Sequence, residues 1–304
     1  MKNKINIAFL LVVHNNPEQL NLFLKQILMY SNSYIYIHVD AKYLNIIPKI
    51  LKDERVMIAP KHFNIQWGDY TQIQVNNYLI QFASLQRYHD YYSLHSGADL
   101  LIRPMSELID YLKDTNQYAY CECTELPSHW QYGGGFGRIA LKWPQCFRRR
   151  LGRNSLMRYL RSIYGKLYGI GVIRGKKLPE QYLYFGGADW FTMRNDCAEN
   201  VLKFAKKESE FESLFIDSLS GAEIYYVSIF EMTKGKCAID DKNMLRYIDW
   251  KDRGQVLSVG SPNTCTMEFV EDLERSRAFF ARKFDMNVDS EIVEYFCKKT
   301  GVLF

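Results

Sequence analysis

The stretch INIAFLLVV, residues 5–13, decides how the fold of the whole chain is predicted. Its apolar run is nearly continuous rather than alternating, which is typical of a parallel strand that helices cover on both faces. The polar turn HNNPEQ follows, and apolar residues then recur at helical spacing over residues 20–30. This order predicts the first strand and the first helix of an α/β sheet.

The alternation of strand and helix continues to about residue 115. Further strands are predicted at residues 34–40, 56–60 and 91–104, and further helices at residues 46–53, 70–88 and 105–114. Such alternation predicts βαβ units, a mostly parallel sheet with helices on both faces, and a ligand crevice at the carboxyl ends of the strands.

Polar side chains follow three of these predicted strands. His14 comes after the first strand, Asp40 ends the second beside His38, and Asp99 follows Ser96 and Gly97 at the third. If these strands are parallel neighbours, their carboxyl ends meet at one edge of the sheet. We therefore expect the three ends to converge and to bind a nucleotide.

Composition and length favour an ordinary globular protein. The chain has 304 residues, of which 47% are hydrophobic and 24% are charged. Aromatic residues make up 15%, with 22 tyrosines, which suits either stacking on sugars or bases or a tyrosine-rich core. This length allows one large domain or two small ones, and we expect a single domain over residues 1–304.

The cysteines and the N-terminus indicate a reducing compartment. There are seven cysteines, an odd number without a C-x-x-C pair, which argues against a zinc site and a disulfide framework. The first apolar run is short and lacks a small-residue cleavage site, and no stretch approaches the ~20 apolar residues of a membrane span. We expect a cytoplasmic protein.

The positive charge is concentrated in one segment, although the net charge is only +5. Residues 126–179 contain no aspartate or glutamate. The same window holds twelve cations: Arg138, Lys142, Arg148, Arg149, Arg150, Arg153, Arg158, Arg161, Lys166, Arg174, Lys176 and Lys177. This basic segment, residues 138–177, either attracts phosphate on lipid, nucleic acid or a nucleotide-linked substrate, or is a solvated helix face.

Two patterns in the second half need interpretation. The glycine-rich stretch at residues 130–138 lacks the phosphate-loop spacing and predicts a flexible loop. The strand predicted at residues 182–196 is interrupted by Gly186 and Gly187, which indicates a bulge or a close backbone approach to a ligand. Farther on, Ser220 and Glu223 fit the S-x-x-E pattern of a helix capping box.

Seven motifs in order carry a resemblance to a known family. They are VVHNNPEQLNLFLKQI, YIYIHVDAK, LHSGADLLIRPMSELIDYL, GADWFTMRND, SGAEIYYVSI, LRYIDW and FFARKFD. The chain resembles the core-2/I-branching β-1,6-N-acetylglucosaminyltransferase family, which includes the peptide O-xylosyltransferases. The resemblance runs over nearly the whole chain, from about residue 7 to residue 285.

The resemblance implies a GT-A type fold and inverting transfer of a sugar from a UDP-sugar to a saccharide hydroxyl. Residues 1–115 would bind the nucleotide-sugar, and residues 116–304 would bind the acceptor. The family needs no divalent metal, and the chain has no Asp-x-Asp pair. The resemblance therefore implies no cofactor beyond the UDP-sugar donor.

The resemblance also implies how the leaving diphosphate is neutralised. By motif position the two cations are Arg246 in LRYIDW and Lys283 in FFARKFD, with Arg282 as the alternative in the second motif. The family's catalytic base matches Glu223, although Gly221 and Ala222 replace the Pro-Asp that commonly precedes it. A helix cap and a base are both open for Glu223 at this point.

The remaining assignments concern the donor. The resemblance implies that His14 and Asp40 contact the uridine or ribose and that Asp99 lies near the donor, although the usual DYP or DFP is DLL here. Gly187 and Trp190 would form a wall of the sugar pocket. Each of these residues has a structural role as its alternative.

Three functions are compatible with these patterns. The first is a glycosyltransferase that most simply moves GlcNAc in β-1,6 linkage. Its acceptor could be lipid-linked, with the basic segment at the inner face of the cell membrane. The second is a non-catalytic nucleotide-sugar or saccharide-binding protein on the same fold. The third, a nucleic-acid-binding protein, lacks any supporting fold signature, so we expect no nucleic-acid partner.

Overall fold

The computed structural model describes residues 4–152, 154–251 and 261–303. The strands are β1 (Ile7–Val13), β2 (Ser33–Val39), β3 (Val56–Ile58), β4 (Tyr91–Ser96), β5 (Leu100–Leu101), β6 (Ala119–Tyr120), β7 (Thr124–Glu125), β8 (Phe185–Gly186), β9 (Thr192–Arg194), β10 (Ile239–Asp240), β11 (Arg246–Ile248) and β12 (Phe280–Arg282). The helices are α1 (Pro17–Leu28), α2 (Thr71–Gln86), α3 (Met105–Thr115), α4 (Gln131–Gly134), α5 (Gly137–Ala140), α6 (Leu156–Gly169), α7 (Asn195–Lys207), α8 (Ser209–Ser213), α9 (Ala222–Thr233), α10 (Val270–Arg275) and α11 (Ser290–Lys299). Short 3₁₀ helices lie at Ala41–Lys49 and Met267–Phe269.

Seven strands form the central sheet, in the order β10-β6-β9-β4-β1-β2-β3. β1 pairs in parallel with β2 and β4, and β2 pairs in parallel with β3. β9 is antiparallel to both of its neighbours, β4 and β6, and β10 is parallel to β6. The sheet is thus mostly parallel, which confirms the predicted α/β class.

The side chains of β1 alternate between two hydrophobic clusters, one on each face of the sheet. Phe9, Leu11 and Val13 pack in the first cluster with α1, α3 and α11, and Ala8 and Leu10 pack in the second with α2, α7 and α9. All five are buried because helices cover both faces. This double coverage explains why the apolar run of β1 is nearly continuous.

Two smaller sheets complete the architecture. The order β11-β12-β5 makes a three-stranded sheet in which β11 and β12 are parallel, and β7 and β8 form an antiparallel pair. β11 begins with Arg246 and β12 ends with Arg282, so this small sheet carries two of the candidate cations.

The structure corrects two local predictions. The helix expected at residues 46–53 is a 3₁₀ helix that begins earlier, because the Asp40 side chain caps it by accepting the N–H of Lys42 at 3.0 Å. The loop expected at residues 130–138 contains two short turns: α4, in which residues 132–134 have left-handed backbone angles, and the four-residue helical turn α5. The three successive glycines at positions 133–135 have positive φ angles, which favour glycine.

The described residues contain no helix whose length and apolarity would allow it to cross a bilayer. All seven cysteines are free thiols.

Candidate active site

Parallel pairing brings the three predicted strand ends to one edge of the sheet. In the register of β1 with β2, Val12 is level with His38, and in the register of β1 with β4, Val12 is level with Ser96. His14 and Asp99 follow shortly beyond these positions. The polar ends therefore converge, as expected for parallel neighbours.

His14 lies among charged side chains at this edge. Desolvation lowers the pKa of His14, and the nearby Asp40 carboxylate opposes that effect. The positive charges of Arg150, Lys42 and Lys283 lower the pKa of the imidazole further. Cations from the basic segment and from the end of β12 thus approach His14, which makes this edge attractive to an anion.

Asp99 is fully buried and is held by protein groups on both oxygens. The hydroxyl of Ser96 donates to Oδ1 at 2.6 Å, and Nδ1 of His95 lies 3.0 Å from Oδ2. Arg246 donates from Nε to Oδ2 at 3.1 Å. Although burial raises the pKa of Asp99, the charge of Arg246 and the His95 hydrogen bond outweigh it and hold the pKa below its usual range.

Arg246 is the buried cation of this network. Its Nη2 donates to the carbonyl of Leu94 at 2.7 Å, whereas Nη1 is buried without a hydrogen-bond partner. Burial lowers the pKa of Arg246 to about 10, so the guanidinium stays charged at neutral pH. A charged group with an unsatisfied buried donor is costly to stability, which makes Arg246 a candidate for a functional role.

Arg282 and Trp190 stack beside this pair. The guanidinium of Arg282 lies 3.9 Å from the centre of the Trp190 ring, and that of Arg246 lies 5.4 Å from it. Arg282 Nε is 3.5 Å from Asp99 Oδ1 and makes no hydrogen bond. Two guanidinium groups therefore converge on one indole ring and one carboxylate.

Lys283 follows Arg282 and is less enclosed. Desolvation lowers its pKa, and the charges of Arg150 and Arg282 lower it further. Both basic residues of FFARKFD therefore belong to the same positive region. The motif alone could not decide between them, and the structure places Arg282 deeper than Lys283.

Glu223 lies in the first turn of α9 and contacts Arg138. Arg138 Nη1 donates to Glu223 Oε2, and the same guanidinium lies 4.3 Å from the centre of the Trp130 ring. The predicted capping box is wrong, because no side chain caps α9 and Ser220 contributes only its carbonyl to the Glu223 N–H. The carboxylate is partly exposed, at 28% of its side-chain surface, and can reach a ligand.

Asp189 lies in the motif GADWFTMRND, but no role was predicted for it from the sequence. Burial and the negative charge of Glu223 raise the pKa of Asp189 to about 8. A hydrogen bond that Gln72 Nε2 donates to Oδ2 at 2.7 Å lowers the pKa and offsets part of this rise. Its Oδ1 is buried without a partner. The sequence signal was an acidic residue next to Trp190, directly before β9. Because β9 is antiparallel, residues before it lie at the carboxyl edge of β4.

The glycine pair at β8 allows close packing rather than a bulge. A Cβ on Gly187 would lie 1.8 Å from the carbonyl oxygen of Glu122, and a Cβ on Gly186 would lie 2.7 Å from the Trp130 ring. The N–H of Gly187 donates to the carbonyl of Glu223 at 2.9 Å. Gly187 thus ties the start of α9 to the backbone beside β7.

The basic segment divides into internal and exposed cations. Arg148 forms ion pairs with Asp69 at 3.0 Å and Asp217 at 3.5 Å, and Arg161 is buried and donates to the carbonyl of Phe147. Arg153 lies outside the described residues. The exposed members include Lys142, Arg149, Arg150, Lys166, Arg174, Lys176 and Lys177.

The arrangement combines cations with two neighbouring carboxyl groups, those of Glu223 and Asp189. Arg246, Arg282 and Lys283 can neutralise a diphosphate, and Glu223 with Asp189 can accept or hold a proton. Over the part of the chain that the structure describes, no group of three His, Cys, Asp or Glu side chains is placed to hold a metal ion.

Comparison with known proteins identifies relatives. A family model described as Core-2/I-Branching enzyme matches residues 7–274. The chain is 23% identical to Xylosyltransferase 2 of Mus musculus over 95% of this chain and 33% of that protein. It is 24% identical to Xylosyltransferase 1 of Homo sapiens over 96% of this chain and 30% of that protein. The chain spans about a third of the length of these relatives.

Several solved structures are distantly similar to this chain. One of them is the 4-diphosphocytidyl-2C-methyl-D-erythritol synthase from Anaerococcus prevotii, which aligns over 77% of this chain and 87% of that chain. The TM-score is 0.35 at 11% identity.

The family match covers most of the chain, from the first strand to α10. It agrees with the order of motifs in the sequence and with the mostly parallel sheet that helices cover on both faces. The chain belongs to the core-2/I-branching enzyme family, a family of glycosyltransferases with a GT-A type α/β fold.

Proposed function

We propose that this chain is an inverting glycosyltransferase that moves a sugar from a UDP-sugar to a hydroxyl of a saccharide acceptor without a divalent metal. The observation that supports this proposal is the meeting of cations and carboxylates around Trp190. The guanidinium groups of Arg282 and Arg246 lie over the Trp190 ring. Asp189, the residue before Trp190, is close enough to Glu223 for the charge of Glu223 to raise its pKa.

The reaction forms one bond and breaks another. The acceptor oxygen attacks the anomeric carbon of the donor, and the bond from that carbon to the diphosphate oxygen breaks with its electron pair. The UDP that leaves gains negative charge, which the guanidinium of Arg282 and the ammonium of Lys283 stabilise by contact. Arg246, whose side chain is fully buried, stabilises this charge through its own positive charge from behind them. Arginine offers planar, bidentate donors to phosphate oxygens, and lysine offers a compact charge.

Glu223 takes the acceptor's proton as the new bond forms. Its carboxylate is accessible at the start of α9 and is paired with Arg138. The acceptor hydroxyl shares this carboxylate in the reactive complex, and Arg138 keeps it oriented. Asp189 is largely protonated at neutral pH because of its raised pKa. It is therefore a neutral group beside the base, and its unpartnered Oδ1 can donate a hydrogen bond to a bound ligand.

The residues at the strand ends bind the nucleotide in this proposal. His14 and Asp40 lie where the uridine or ribose would be held. Asp99, expected near the donor, has a different role in this proposal. Its buried oxygens are hydrogen-bonded to Ser96, His95 and Arg246. Asp99 acts as a positioning residue that aims Arg246, and it does not touch the donor.

We propose the donor and the acceptor only by chemical class, as a UDP-sugar and a saccharide. β-1,6 transfer of GlcNAc is the family default, and the matched relatives are named for xylose transfer, so UDP-GlcNAc and UDP-xylose are the first donors to test. We further propose a lipid-linked saccharide acceptor and a location at the inner face of the cell membrane. Gly187 and Trp190 lie beside the donor sugar.

A donor screen with EDTA present tests the proposal. Hydrolysis or transfer of a panel of UDP-sugars is measured for the wild type, for Glu223→Gln and for Glu231→Gln. Glu231 is a matched control, because it is also a glutamate of α9 in an ion pair, with Lys234. We expect EDTA-resistant turnover of one donor, a loss of about 10²–10⁴ in Glu223→Gln and no loss in Glu231→Gln.

Two outcomes would contradict the proposal. Turnover that EDTA abolishes would show that a metal is needed. Tight UDP binding without turnover of any donor, with an acceptor panel included, would favour the alternative of a non-catalytic nucleotide-sugar or saccharide-binding protein on this fold.

A further inference from the structure

Helix α6 presents an apolar stripe to solvent. Starting from Leu156, apolar side chains recur four, seven, eleven and fourteen residues later and lie on one side of the helix. The members of the stripe are Leu156, Tyr159, Leu160, Ile163, Leu167 and the C-cap residue Ile170. In a surface helix that serves only the core, such a stripe would face inward.

The exposed surface shows that the stripe faces outward at both ends. Leu156 is 70% exposed, Tyr159 is 65% exposed and Ile170 is 73% exposed. Val172, just beyond the helix, is 66% exposed. Leu160 is 40% exposed, and Ile163 and Leu167 in the middle of the helix are half-buried. The apolar side of α6, which we call the α6 stripe, is therefore most open at its two ends.

The opposite side of α6 is the side that packs on the protein. A Cβ on Gly165 would lie 2.1 Å from the ring of Tyr132, so this glycine allows the helix to approach α4 closely. Arg161 is buried on the same side and donates to the carbonyl of Phe147. The helix therefore has a fixed orientation, and its apolar stripe cannot turn inward without breaking these contacts.

Exposed cations accompany the stripe, and acids are absent from the segment. Lys166 lies within α6, and Arg174, Lys176 and Lys177 follow it, all exposed. Residues 126–179 contain no aspartate or glutamate. Apolar residues on one face with basic residues beside them are the pattern of a helix that lies in the interface of an anionic bilayer.

We propose that the α6 stripe docks this protein on an anionic lipid bilayer, with the stripe in the acyl boundary and the neighbouring lysines and arginines at the headgroups. Charge complementarity selects this occupant, because residues 126–179 carry many cations and no aspartate or glutamate, so two copies of this segment would repel each other. The stripe carries the contact, and Arg148 does not, since its charge is already paired with Asp69 and Asp217.

Vesicle flotation tests this docking without any sugar donor, so its result is independent of the proposed reaction. The full chain is mixed with phosphatidylcholine vesicles that contain or lack phosphatidylglycerol. The variant Leu156→Gln/Ile170→Gln removes apolar surface from the stripe. The matched control Leu85→Gln/Val288→Gln removes equally exposed apolar residues elsewhere, at 75% and 60% exposure.

We expect the wild type to float only with the anionic vesicles. The stripe variant should lose about tenfold or more of its binding, and the control should lose none. Lys166→Gln/Lys176→Gln should lose about fivefold for each lysine, whereas Lys177 is left in place because it pairs with Glu180 at 3.5 Å. The matched Lys203→Gln/Lys207→Gln variant should bind as the wild type does. Added salt should weaken binding of the wild type.

Other outcomes would overturn the proposal. Equal flotation of the wild type and the stripe variant would show that the stripe does not contact lipid. In a further outcome, the wild type binds neither kind of vesicle and sediments as a dimer that the Leu156→Gln/Ile170→Gln substitutions dissociate. That result would show that the stripe is an interface between two copies of the chain. The unfolding midpoint of each variant in urea shows whether these exposed substitutions leave the fold intact.

Discussion

Arg246 donates from Nε to Oδ2 of Asp99 at 3.1 Å, and neither side chain has any solvent-exposed surface. The pair connects the end of β4 to the start of β11, so it fixes the small sheet against the central one. It also fixes the direction of a cation whose Nη1 is unsatisfied. Stability and leaving-group binding therefore depend on the same contact.

Asp99→Asn should lower the free energy of unfolding by about 3–5 kcal/mol, because it leaves the buried charge of Arg246 uncompensated. The native pKa of Asp99 lies below its ordinary value. The stabilisation is therefore complete above the ordinary pKa of aspartate and is lost as the pH falls toward the native pKa. Urea unfolding at several pH values measures both effects, and the acid-dependent part should vanish in the variant.

The partly exposed pair of Asp53 and Arg55, at 3.1 Å, supplies the control for that experiment. Asp53→Asn should cost less than about 1 kcal/mol, since solvent screens such pairs. Equal costs for the two variants would show that burial of Asp99 and Arg246 contributes nothing to their coupling.

Asp189→Asn should stabilise the protein at neutral pH. A carboxyl whose native pKa is raised to about 8 binds its proton more tightly in the folded state than in the unfolded state. The free energy of unfolding therefore falls as the pH rises from about 4 to about 8. The neutral asparagine removes this loss of stability, and the free energy of unfolding at pH 7 should rise by up to about 4 kcal/mol, since each pH unit between about 4 and 7 costs about 1.4 kcal/mol. A gain that is the same at pH 4 and pH 8 would contradict the raised pKa.

The same variant distinguishes two roles in catalysis. If Asp189 acts as a neutral hydrogen-bond donor, activity of the wild type falls above about pH 8, and the asparagine variant keeps measurable activity with a flatter pH profile. If Asp189 were the base, activity would rise through that pH and the variant would be inactive. Profiles of kcat against pH for both proteins decide between these roles.

Arg282→Met should weaken UDP binding by about 10–100-fold, because a hydrogen bond to a charged phosphate contributes about 1.5–3 kcal/mol. Isothermal titration with UDP gives the dissociation constants. Arg87→Met is the matched control, since the guanidinium of Arg87 also lies 3.9 Å from an aromatic ring centre, that of Tyr34. An unchanged affinity in Arg282→Met would leave the leaving-group role to Arg246 and Lys283 alone.

Gly187→Ala should destabilise the protein by about 3 kcal/mol or more, because the added Cβ would lie 1.8 Å from the Glu122 carbonyl oxygen. Gly152→Ala is the control, since a Cβ added there would meet no atom within 4 Å. Thermal unfolding of both variants measures the difference. A neutral effect at position 187 would mean that the backbone at Glu122 shifts freely.

The sequence predicted the strand ends well because two simple regularities govern them. A nearly continuous apolar run requires helices on both faces, and parallel neighbours bring their carboxyl ends together. His14, Asp40 and Asp99 could therefore be grouped from the chain alone. The detailed role of Asp99 could not, since its partner Arg246 lies 147 residues away in the chain.

Other features depend on contacts that no local pattern contains. The S-x-x-E spacing predicted a helix cap at Glu223. The carboxylate instead accepts a hydrogen bond from Arg138, which lies 85 residues away along the chain. Asp189 was missed because its raised pKa comes from tertiary burial and from Glu223. Arg148 looked like a free surface cation, yet its ion pairs with Asp69 and Asp217 form only in the folded chain.

The pairing of β7 with β8 has a consequence for how such enzymes can diverge. Thr124 faces Gly186 across this pair, so residues 126–184 leave the strand pair and return to it at adjacent points. This excursion contains the whole acid-free window, together with Arg138 and the α6 stripe. Exchanging residues 126–184 between relatives would replace two things at once: the contact of Arg138 with Glu223 and the proposed lipid-docking surface on α6. The connectivity of the central sheet would stay as it is.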